Sequence, residues 1–350
     1  MKNALIVSLN FRVAHVAHLV ASYRQMEEIG YCSCLFINPN LVPYIPKDIR
    51  YITDLKELKV VDLAIFWFPA MHNLSVMMKL KIKYHSKILY VFHEPIEKYQ
   101  TYKKLGFTYG DIFKVYCKYA YTLSFLFLAD AIVLPSKKAE QLYVNSLSSR
   151  INSNYYYIPL LFPDENKHNV EKRMYFSYIG TIAQDHAFDE YCNCIIKMSD
   201  NKALPEDVKF LIATRNIVKK NKAINELIAS EKLRIIEGKP LTDEEINECY
   251  SRSLAVWNVY NRTTQSGVLA KASMFGTPAL VKSDNLSEFS IDGYNVKAVQ
   301  SNTDISELSK GILNIIENID RYSKNSRQMF ESTFYYRIHN DKMASIIENL

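Results

Sequence analysis

The chain of 350 residues is long for one domain and comfortable for two, each with enough apolar material to form its own core. Hydrophobic residues make up 48% of it and charged residues 23%, which is typical of a soluble globular protein and excludes a disordered or fibrous one. The net charge of +6 is mild and basic residues are interspersed with acidic ones, so we expect no nucleic acid partner. A phosphate-bearing ligand and peripheral contact with an anionic membrane both stay open.

No pattern in the sequence predicts a metal site, a leader or a membrane span. Two C-x-C pairs are present, but there is no C-x-x-C and no histidine pair at zinc spacing. The first apolar run ends before Asn10, too early for a signal peptide. The most apolar stretch, 119–135, is interrupted by Asp130 and falls short of the ~20 residues that a span needs. We therefore expect a reduced, cytoplasmic protein that needs neither metal nor cofactor.

Apolar runs that are typical of buried strands alternate with helical segments in the first half of the chain. The run at 3–9 is continuously apolar, as expected for a strand covered on both faces, and the stretch 15–30 follows with helical spacing and a glycine stop. Further strands are predicted in the runs 31–37, 61–69, 86–95 and 129–136. This alternation predicts a parallel, doubly wound sheet.

The same rhythm restarts after a polar stretch with two prolines, roughly Leu161 to Arg173, which is the predicted domain boundary. Strands are predicted in the runs 174–180, 208–216, 233–240, 253–261 and 277–283, and the tail 325–350 is helical and amphipathic. The expected organisation is an N-terminal Rossmann-like domain at 1–165, a second at 166–330, and a C-terminal helix at 331–350 that packs back across the domains.

Loops that follow strands are where ligands are expected, because helix N-termini converge at the carboxyl ends of parallel strands. Two such sheets would face one another across an interdomain cleft. No G-x-G-x-x-G and no Walker lysine motif occurs, which argues against a nicotinamide, flavin or P-loop nucleotide site.

One short helix stands out, in the stretch TTQSGVLAKASMFGTPALV at 263–281. Helical spacing of its apolar residues predicts about three turns, opened by Ser266 and Gly267 and stopped by Gly276. Small residues at the N-terminus leave backbone N–H groups accessible, and no carboxylate occurs between positions 261 and 282, so the helix dipole favours an anion. Arg262 directly precedes it and suits a phosphate. The alternative is that Ser266 merely caps the helix and that Arg262 is solvated.

The stretch 248–299 resembles the donor-binding region of bacterial GT-B glycosyltransferases, especially the large family 4. The order of a strand, a loop, a helix opened by Ser-Gly-Val-Leu, Gly-x-Pro, a further strand and Asp-Gly-Tyr-Asn carries the resemblance. The stretches 128–142, 155–165 and 176–182 are similar to the family's last N-domain strand, interdomain connection and first C-domain strand. The resemblance implies an α/β protein of two doubly wound, parallel-sheet Rossmann-like domains.

The sequence departs from the family at the donor site. Members usually carry two glutamates eight positions apart, where this chain has Thr263 and Lys271, and an arginine and a lysine that grip the diphosphate, where it has Thr181 and His186. Phosphate binding is therefore assigned to Gln265, Ser266 and Gly267, with Arg262 as a substitute cation. The set of donor residues that the resemblance implies is completed by Gly180, Thr181, Thr264, Lys271 and Glu288, the last resembling an acid that the family often retains.

In the N-terminal half, His93 and Glu94 follow a predicted buried strand directly. His93 matches a family histidine that points toward the transferred sugar, and a base at this place would remove the proton of the acceptor hydroxyl. The alternative is that His93 is structural and Glu94 simply exposed. Asn10 and Arg12, after the first strand, are assigned to acceptor binding.

The resemblance implies a metal-independent hexosyltransferase that moves sugar from a nucleotide-diphosphate donor to a glycan or lipid-linked glycan acceptor. The implied setting is bacterial surface polysaccharide synthesis, such as capsule or lipopolysaccharide, at the inner face of the cytoplasmic membrane. Two alternatives stay open: a same-fold nucleotide-sugar epimerase or phosphorylase, and a non-catalytic nucleotide-sugar-binding partner. The base, the sugar, the acceptor and the stereochemistry are not set by the sequence.

Overall fold

Two all-parallel β-sheets organise the chain in the computed structural model, which describes residues 2–166 and 172–350. Each sheet belongs to its own compact unit. The first unit runs to Pro163 and is completed by Phe334–Leu350, and the second is Asp164–Thr333. The chain therefore passes from the first unit into the second and then returns.

The first sheet has seven strands in the order β3-β2-β1-β4-β5-β6-β7. They are β1 Lys2–Ser8, β2 Tyr31–Ile37, β3 Tyr51–Ile52, β4 Leu63–Phe66, β5 Lys87–Val91, β6 Ala131–Leu134 and β7 Tyr155–Tyr157. The order reverses beside β1, which pairs with β2 on one side and β4 on the other. Such a reversal places the loops after β1 and β4 next to one another.

The helices of the first unit connect these strands, and its last helix comes from the end of the chain. They are α1 Val16–Glu28, α2 Asn73–Tyr84, α3 Tyr99–Lys104, α4 Tyr109–Leu128, α5 Lys137–Val144 and α6 Ser148–Ile151, and, from the C-terminal segment, α13 Asn340–Glu348. The C-terminal segment is held by backbone bonds, since the N–H of Phe162 donates to the carbonyl of Phe334 at 2.9 Å and that of Tyr336 to Phe162 at 3.2 Å.

The second sheet has six strands in the order β10-β9-β8-β11-β12-β13. They are β8 Tyr175–Ile179, β9 Lys209–Ala213, β10 Leu233–Ile236, β11 Ser253–Asn258, β12 Ala279–Lys282 and β13 Val296–Val299. The helices of this unit are α7 Phe188–Asp200, α8 Lys222–Ala229, α9 Asp243–Ser251, α10 Gly267–Met274, α11 Ile305–Glu317 and α12 Ile319–Met329. The order reverses beside β8, so the loops after β8 and β11 adjoin.

The two-sheet, doubly wound α/β architecture predicted from the alternation of strands and helices is confirmed. Three strands escaped that prediction, namely β3, β7 and β13, and each lies at the edge of its sheet. An edge strand is covered less completely than a central one and needs no continuous apolar run, so its sequence gives a weaker signal. In the described residues 2–166 and 172–350, no helix is both long enough and apolar enough to span a membrane.

Candidate functional site

Helix α10 begins at Gly267 with Ser266 as its cap. The hydroxyl oxygen of Ser266 accepts a hydrogen bond from the N–H of Leu269 at 3.2 Å, and the side chain of Asn258, at the end of β11, donates to the same oxygen at 2.7 Å. The cap is thus tied to the strand that precedes it. The helix has eight residues, so the predicted three turns are wrong. Gly276, at a φ of 62°, follows the end of the helix in a left-handed turn that other residues rarely adopt, as predicted.

The first turn of α10 is open where a ligand would approach. A Cβ added at Gly267 would meet no atom of the described residues within 4 Å, so none of them fills the space beside this backbone. Gly180, which follows β8, has a φ of 138°, and a Cβ there would lie 3.6 Å from Cγ2 of Val268. The loop after β8 therefore lies against the first turn of α10, which brings together the predicted donor residues of two separate segments.

Gln265 carries a polar group that the protein leaves unsatisfied. Both atoms of its side-chain amide, Oε1 and Nε2, are buried, and neither has a hydrogen-bond partner among the described residues. Burying an amide without a partner costs free energy, so such a group in a folded protein calls for an explanation. A polar ligand at the start of α10 would supply one.

The guanidinium of Arg262 is paired with a carboxylate that the sequence did not reveal. Its Nη1 lies 3.6 Å from Oδ2 of Asp185, and the side chain is 12% exposed. Asp185 belongs to the loop after β8, where the ring of the neighbouring His186 stacks on Tyr260 at 4.4 Å. Asp185 orients Arg262 and offsets part of its positive charge. A diphosphate would therefore bind to a partly neutralised cation.

Lys271 lies in a cluster of charges and is only 7% exposed. Its Nζ is 2.5 Å from Oε2 of Glu165 and 3.5 Å from Oδ1 of Asp243 at the start of α9. Asn247 donates to the same Glu165 oxygen at 3.1 Å. Burial raises the pKa of Asp243, and Lys271 opposes that shift. The ammonium group is thus engaged by two carboxylates, and contact of Lys271 with a donor stays a prediction.

The remaining predicted donor residues lie in loops at the same end of the second sheet. The backbone carbonyl of Thr181 accepts hydrogen bonds from the hydroxyl of Tyr178 at 2.9 Å and from Nδ1 of His186 at 2.8 Å. Thr264 is buried and Glu288 is half-buried. The loop that carries Glu288 is tied to the loop after β11, because Asn285 donates from its side chain to the carbonyl of Tyr260 at 2.6 Å.

In the first unit, His93 is part of a stack of aromatic rings at the carboxyl ends of the strands. Its ring lies 4.6 Å from that of Phe68, which stacks in turn on His15 at 3.5 Å. Trp67 is 5.5 Å from His93 and is stacked on His18 at 5.3 Å. Trp67 and Phe68 directly follow β4, and this place after a predicted strand is the sequence signal that could have identified them as candidate site residues.

This environment keeps the imidazole of His93 neutral. Burial, together with the neighbouring His18, lowers its pKa to about 3, although a backbone hydrogen bond with Trp67 works in the opposite direction. Nε2 of His93 is buried and has no hydrogen-bond partner within the part of the chain that the structure describes. With one ring nitrogen engaged by the backbone, the neutral ring presents the other as an unfilled site.

The other predicted residues of the first unit lie on loops beside this stack. Asn10 donates from its side-chain amide to the carbonyl of Pro69, which ties the loop after β1 to the loop after β4. Arg12 and Glu94 are exposed. Asn10 therefore has a structural bond in addition to its predicted contact with an acceptor.

Among the comparisons with known proteins, only the comparison with solved structures found matches, and these matches support the fold. No model of a protein family and no curated protein matches the chain. A glycosyltransferase from Rickettsia africae ESF-5 is 13% identical with a TM-score of 0.70, over 99% of this chain and 98% of that one. Anabaena HepE in complex with UDP and glucose is 11% identical, with a TM-score of 0.69 over 100% of both chains.

A third solved structure agrees with these two. Sucrose-phosphate synthase from Thermosynechococcus elongatus is 12% identical with a TM-score of 0.67, over 100% of this chain and 99% of that chain. The chain has the GT-B fold, two Rossmann-like units each built on a parallel sheet, as the sequence predicted. At such identities the likeness concerns the fold, and function must be argued from the site.

Proposed function

We propose that this protein is a glycosyltransferase that transfers a sugar, most simply a hexose, from a nucleotide-diphosphate donor without a metal ion. The observation that carries the proposal is the start of α10. There an open glycine backbone follows Gln265, whose buried amide has no partner among the residues that the structure describes. A helix N-terminus of this kind attracts phosphate through its N–H groups and its dipole. The donor is assigned to the second unit.

The leaving group of such a transfer is a nucleoside diphosphate, on which negative charge develops as the sugar departs. Backbone N–H groups already aimed at that charge stabilise the transition state without reorganisation. Arg262 adds positive charge beside them, and its pairing with Asp185 holds the guanidinium in place before the donor arrives. UDP and UDP-glucose, the ligands of the structurally similar HepE complexes, are the first ligands to try.

We assign the acceptor to the first unit, with His93 and Glu94 at the reacting hydroxyl. With its pKa lowered to about 3, His93 is a poor general base at neutral pH but a good acceptor of a hydrogen bond through Nε2. It would orient a sugar hydroxyl, and the exposed carboxylate of Glu94 would be left to take the proton. Asn10 and Arg12 would contact the rest of the acceptor.

The acceptor that we propose is a glycan or lipid-linked glycan of a bacterial surface polysaccharide, at the inner face of the cytoplasmic membrane. This part rests on the family resemblance of the donor region. It is tested by incubating the protein with labelled donor and lipid-linked glycan and following label into the lipid phase. Because the transfer is proposed to need no metal, adding EDTA should leave the rate unchanged.

The donor site is tested with a thermal-shift panel of UDP-, GDP-, dTDP- and CMP-sugars. A ligand at ~100 times its dissociation constant adds about 2.7 kcal/mol to the free energy of unfolding. One nucleotide class should raise the melting temperature and the others should not. No response to any of them would overturn the proposal.

If the panel is positive, incubation with the labelled donor and analysis of its products tests the alternatives. Recovery of a donor with inverted sugar stereochemistry would identify an epimerase. Binding without transfer or hydrolysis of labelled donor would identify a non-catalytic partner protein.

A further inference from the structure

Four aromatic side chains are exposed on helices α3 and α4, in the segment that follows β5. Tyr109 is 73% exposed and Phe113 is 70% exposed, and Tyr99 and Tyr116 are also exposed. The rings of Tyr99 and Tyr109 stack at 6.5 Å, so the two helices contribute to one surface. Exposing large aromatic side chains to water is unfavourable, and the surfaces of soluble proteins rarely carry clusters of them.

The pattern along α4 shows that this exposure follows a helical face. Positions 109, 113 and 116 are separated by four and three residues and so lie on one side of the helix. The buried residues of α4 lie elsewhere on it, with Ile112 at one end and Phe125 and Leu126 at the other. Helix α4 therefore has an inward apolar face that packs in the unit and a second, outward aromatic face.

The same two helices also carry positive charge along their length. The segment 98–118 contains five lysines and one acidic residue, Asp111, which gives it a formal net charge of +4. All five lysines are exposed, namely Lys98, Lys103, Lys104, Lys114 and Lys118. We call these lysines, with Tyr99, Tyr109, Phe113 and Tyr116, the aromatic–lysine surface.

We propose that the aromatic–lysine surface docks on an anionic lipid bilayer. Aromatic side chains with a polar edge favour the headgroup region of a membrane, and lysines can bury their stems while the ammonium groups reach the phosphates. Each lysine near an anionic membrane contributes attraction that is screened by salt. A protein partner fits the surface less well, because lysine is depleted where proteins meet.

The aromatic–lysine surface also affects how a lipid-linked acceptor would reach His93. This consequence rests on the proposed function. Lys98 is five residues from His93, so the aromatic–lysine surface begins close along the chain to the residue assigned to the acceptor hydroxyl. A lipid-linked glycan could then keep its lipid in the bilayer while its sugar reaches His93. The docking surface itself stands on exposure and charge and does not depend on transfer.

The test is flotation of the full chain with vesicles of phosphatidylcholine, with and without about 30% phosphatidylglycerol. The first variant replaces the rings on α4 (Y109S/F113S/Y116S), and the second neutralises four lysines (K103Q/K104Q/K114Q/K118Q). The matched controls lie in the second unit: I217S, at a side chain that is 74% exposed, and the exposed lysines in K219Q/K222Q/K310Q/K324Q. Unfolding curves verify that each variant is folded.

The native chain should float with anionic vesicles, and added salt should release it. Each lost lysine should weaken binding about fivefold, so the variant that lacks four lysines should bind roughly 600-fold less. The aromatic variant should bind at least tenfold less, while both controls bind like the native chain. Failure of the native chain to float, or equal losses in variants and controls, would overturn the proposal. So would self-association that only the aromatic variant abolishes.

The result of the vesicle experiment is independent of the result of the donor-binding experiment. The thermal-shift response to nucleotide sugars should be the same in the aromatic and lysine variants as in the native chain. A chain that binds vesicles through this surface but no nucleotide sugar would keep the docking surface and lose the transferase.

Discussion

The ring of His93 is half-buried and stacked on Phe68, and this environment lowers its pKa to about 3. We expect His93→Ala to lower kcat about tenfold, since one hydrogen bond of about 1.4 kcal/mol to the reacting hydroxyl is lost. Donor affinity should be kept. His93→Gln, which can still accept a hydrogen bond, should recover part of the rate. Turnover by His93→Ala at the native rate would make His93 a structural residue only.

The same pKa has a consequence for stability. Between the ordinary value of 6.5 and about 3, the unfolded chain binds a proton at His93 and the folded chain does not. Acid therefore favours unfolding, and the contribution of His93 to stability is lost as the pH falls through this window. Urea unfolding at pH 7.5 and pH 5 should show a smaller decrease for His93→Asn than for the native chain. Equal decreases would contradict a His93 that stays neutral in the folded chain.

Substitution of Lys271 tests whether this residue, assigned to the donor site through the family resemblance, has a structural role instead. Lys271→Met leaves Glu165 and Asp243 without their cation, which we expect to cost about 2 to 3 kcal/mol in the free energy of unfolding, allowing for partial exposure of the carboxylates. Exposed Lys310→Met is the matched control. Stability unchanged by Lys271→Met, measured by urea unfolding, would favour a direct role at the donor.

The pH dependence of that loss follows from the carboxyl group of Asp243. Without Lys271 the pKa of Asp243, already raised by burial, rises further in the folded protein. The folded chain then holds a proton more tightly than the unfolded one, so the variant loses stability as the pH rises above the unfolded-state pKa. The deficit of Lys271→Met should be larger at pH 7 than at pH 4.5.

At the scale of an element, α10 offers a paired test of its two ends. Gly267→Asp places a carboxylate where the diphosphate is proposed to bind, in a space that no described residue fills. Donor affinity should therefore fall at least tenfold while the fold is kept. Gly276→Ala puts a Cβ 2.9 Å from the backbone oxygen of Ser323 at a positive φ, so stability should fall by about 1 to 2 kcal/mol. Thermal shifts with and without donor measure both effects. Weaker binding in Gly276→Ala alone would place the donor elsewhere.

The sequence predicted where α10 starts and stops because Ser266, Gly267 and Gly276 act through local backbone geometry. It did not reveal Asp185 beside Arg262, since that contact joins loops that are far apart along the chain. It also missed the partners of Lys271, for the same reason. Local signals therefore gave the helix, while the charges around it depended on how the sheet brings loops together.

At the scale of the whole molecule, the C-terminal segment is part of the first unit. Tyr336 is buried, its hydroxyl donates to Oε1 of Glu28 at 2.6 Å, and its carbonyl accepts from the side chain of Gln25 at 3.2 Å. We expect Tyr336→Ala to destabilise the first unit by about 3 kcal/mol. Hydrogen exchange should show lost protection in α1 and unchanged protection in β11. Equal loss in both would contradict this assignment.

The alternation of apolar runs with helical segments was sufficient to predict two parallel sheets, because central strands covered on both faces leave an unmistakable apolar run. Strand order and the edge strands could not be predicted in the same way. Those features depend on pairing between distant segments, such as β1 with β4, that no local pattern records.

The return of the chain to its first unit also affects how the protein is made. Phe334–Leu350 leaves the ribosome only after the whole of Asp164–Thr333. At about 5 to 20 residues per second, that delay is roughly ten to thirty seconds. During translation the first unit therefore waits with α1 uncovered, and the nascent chain is expected to need a chaperone there before the last helix arrives.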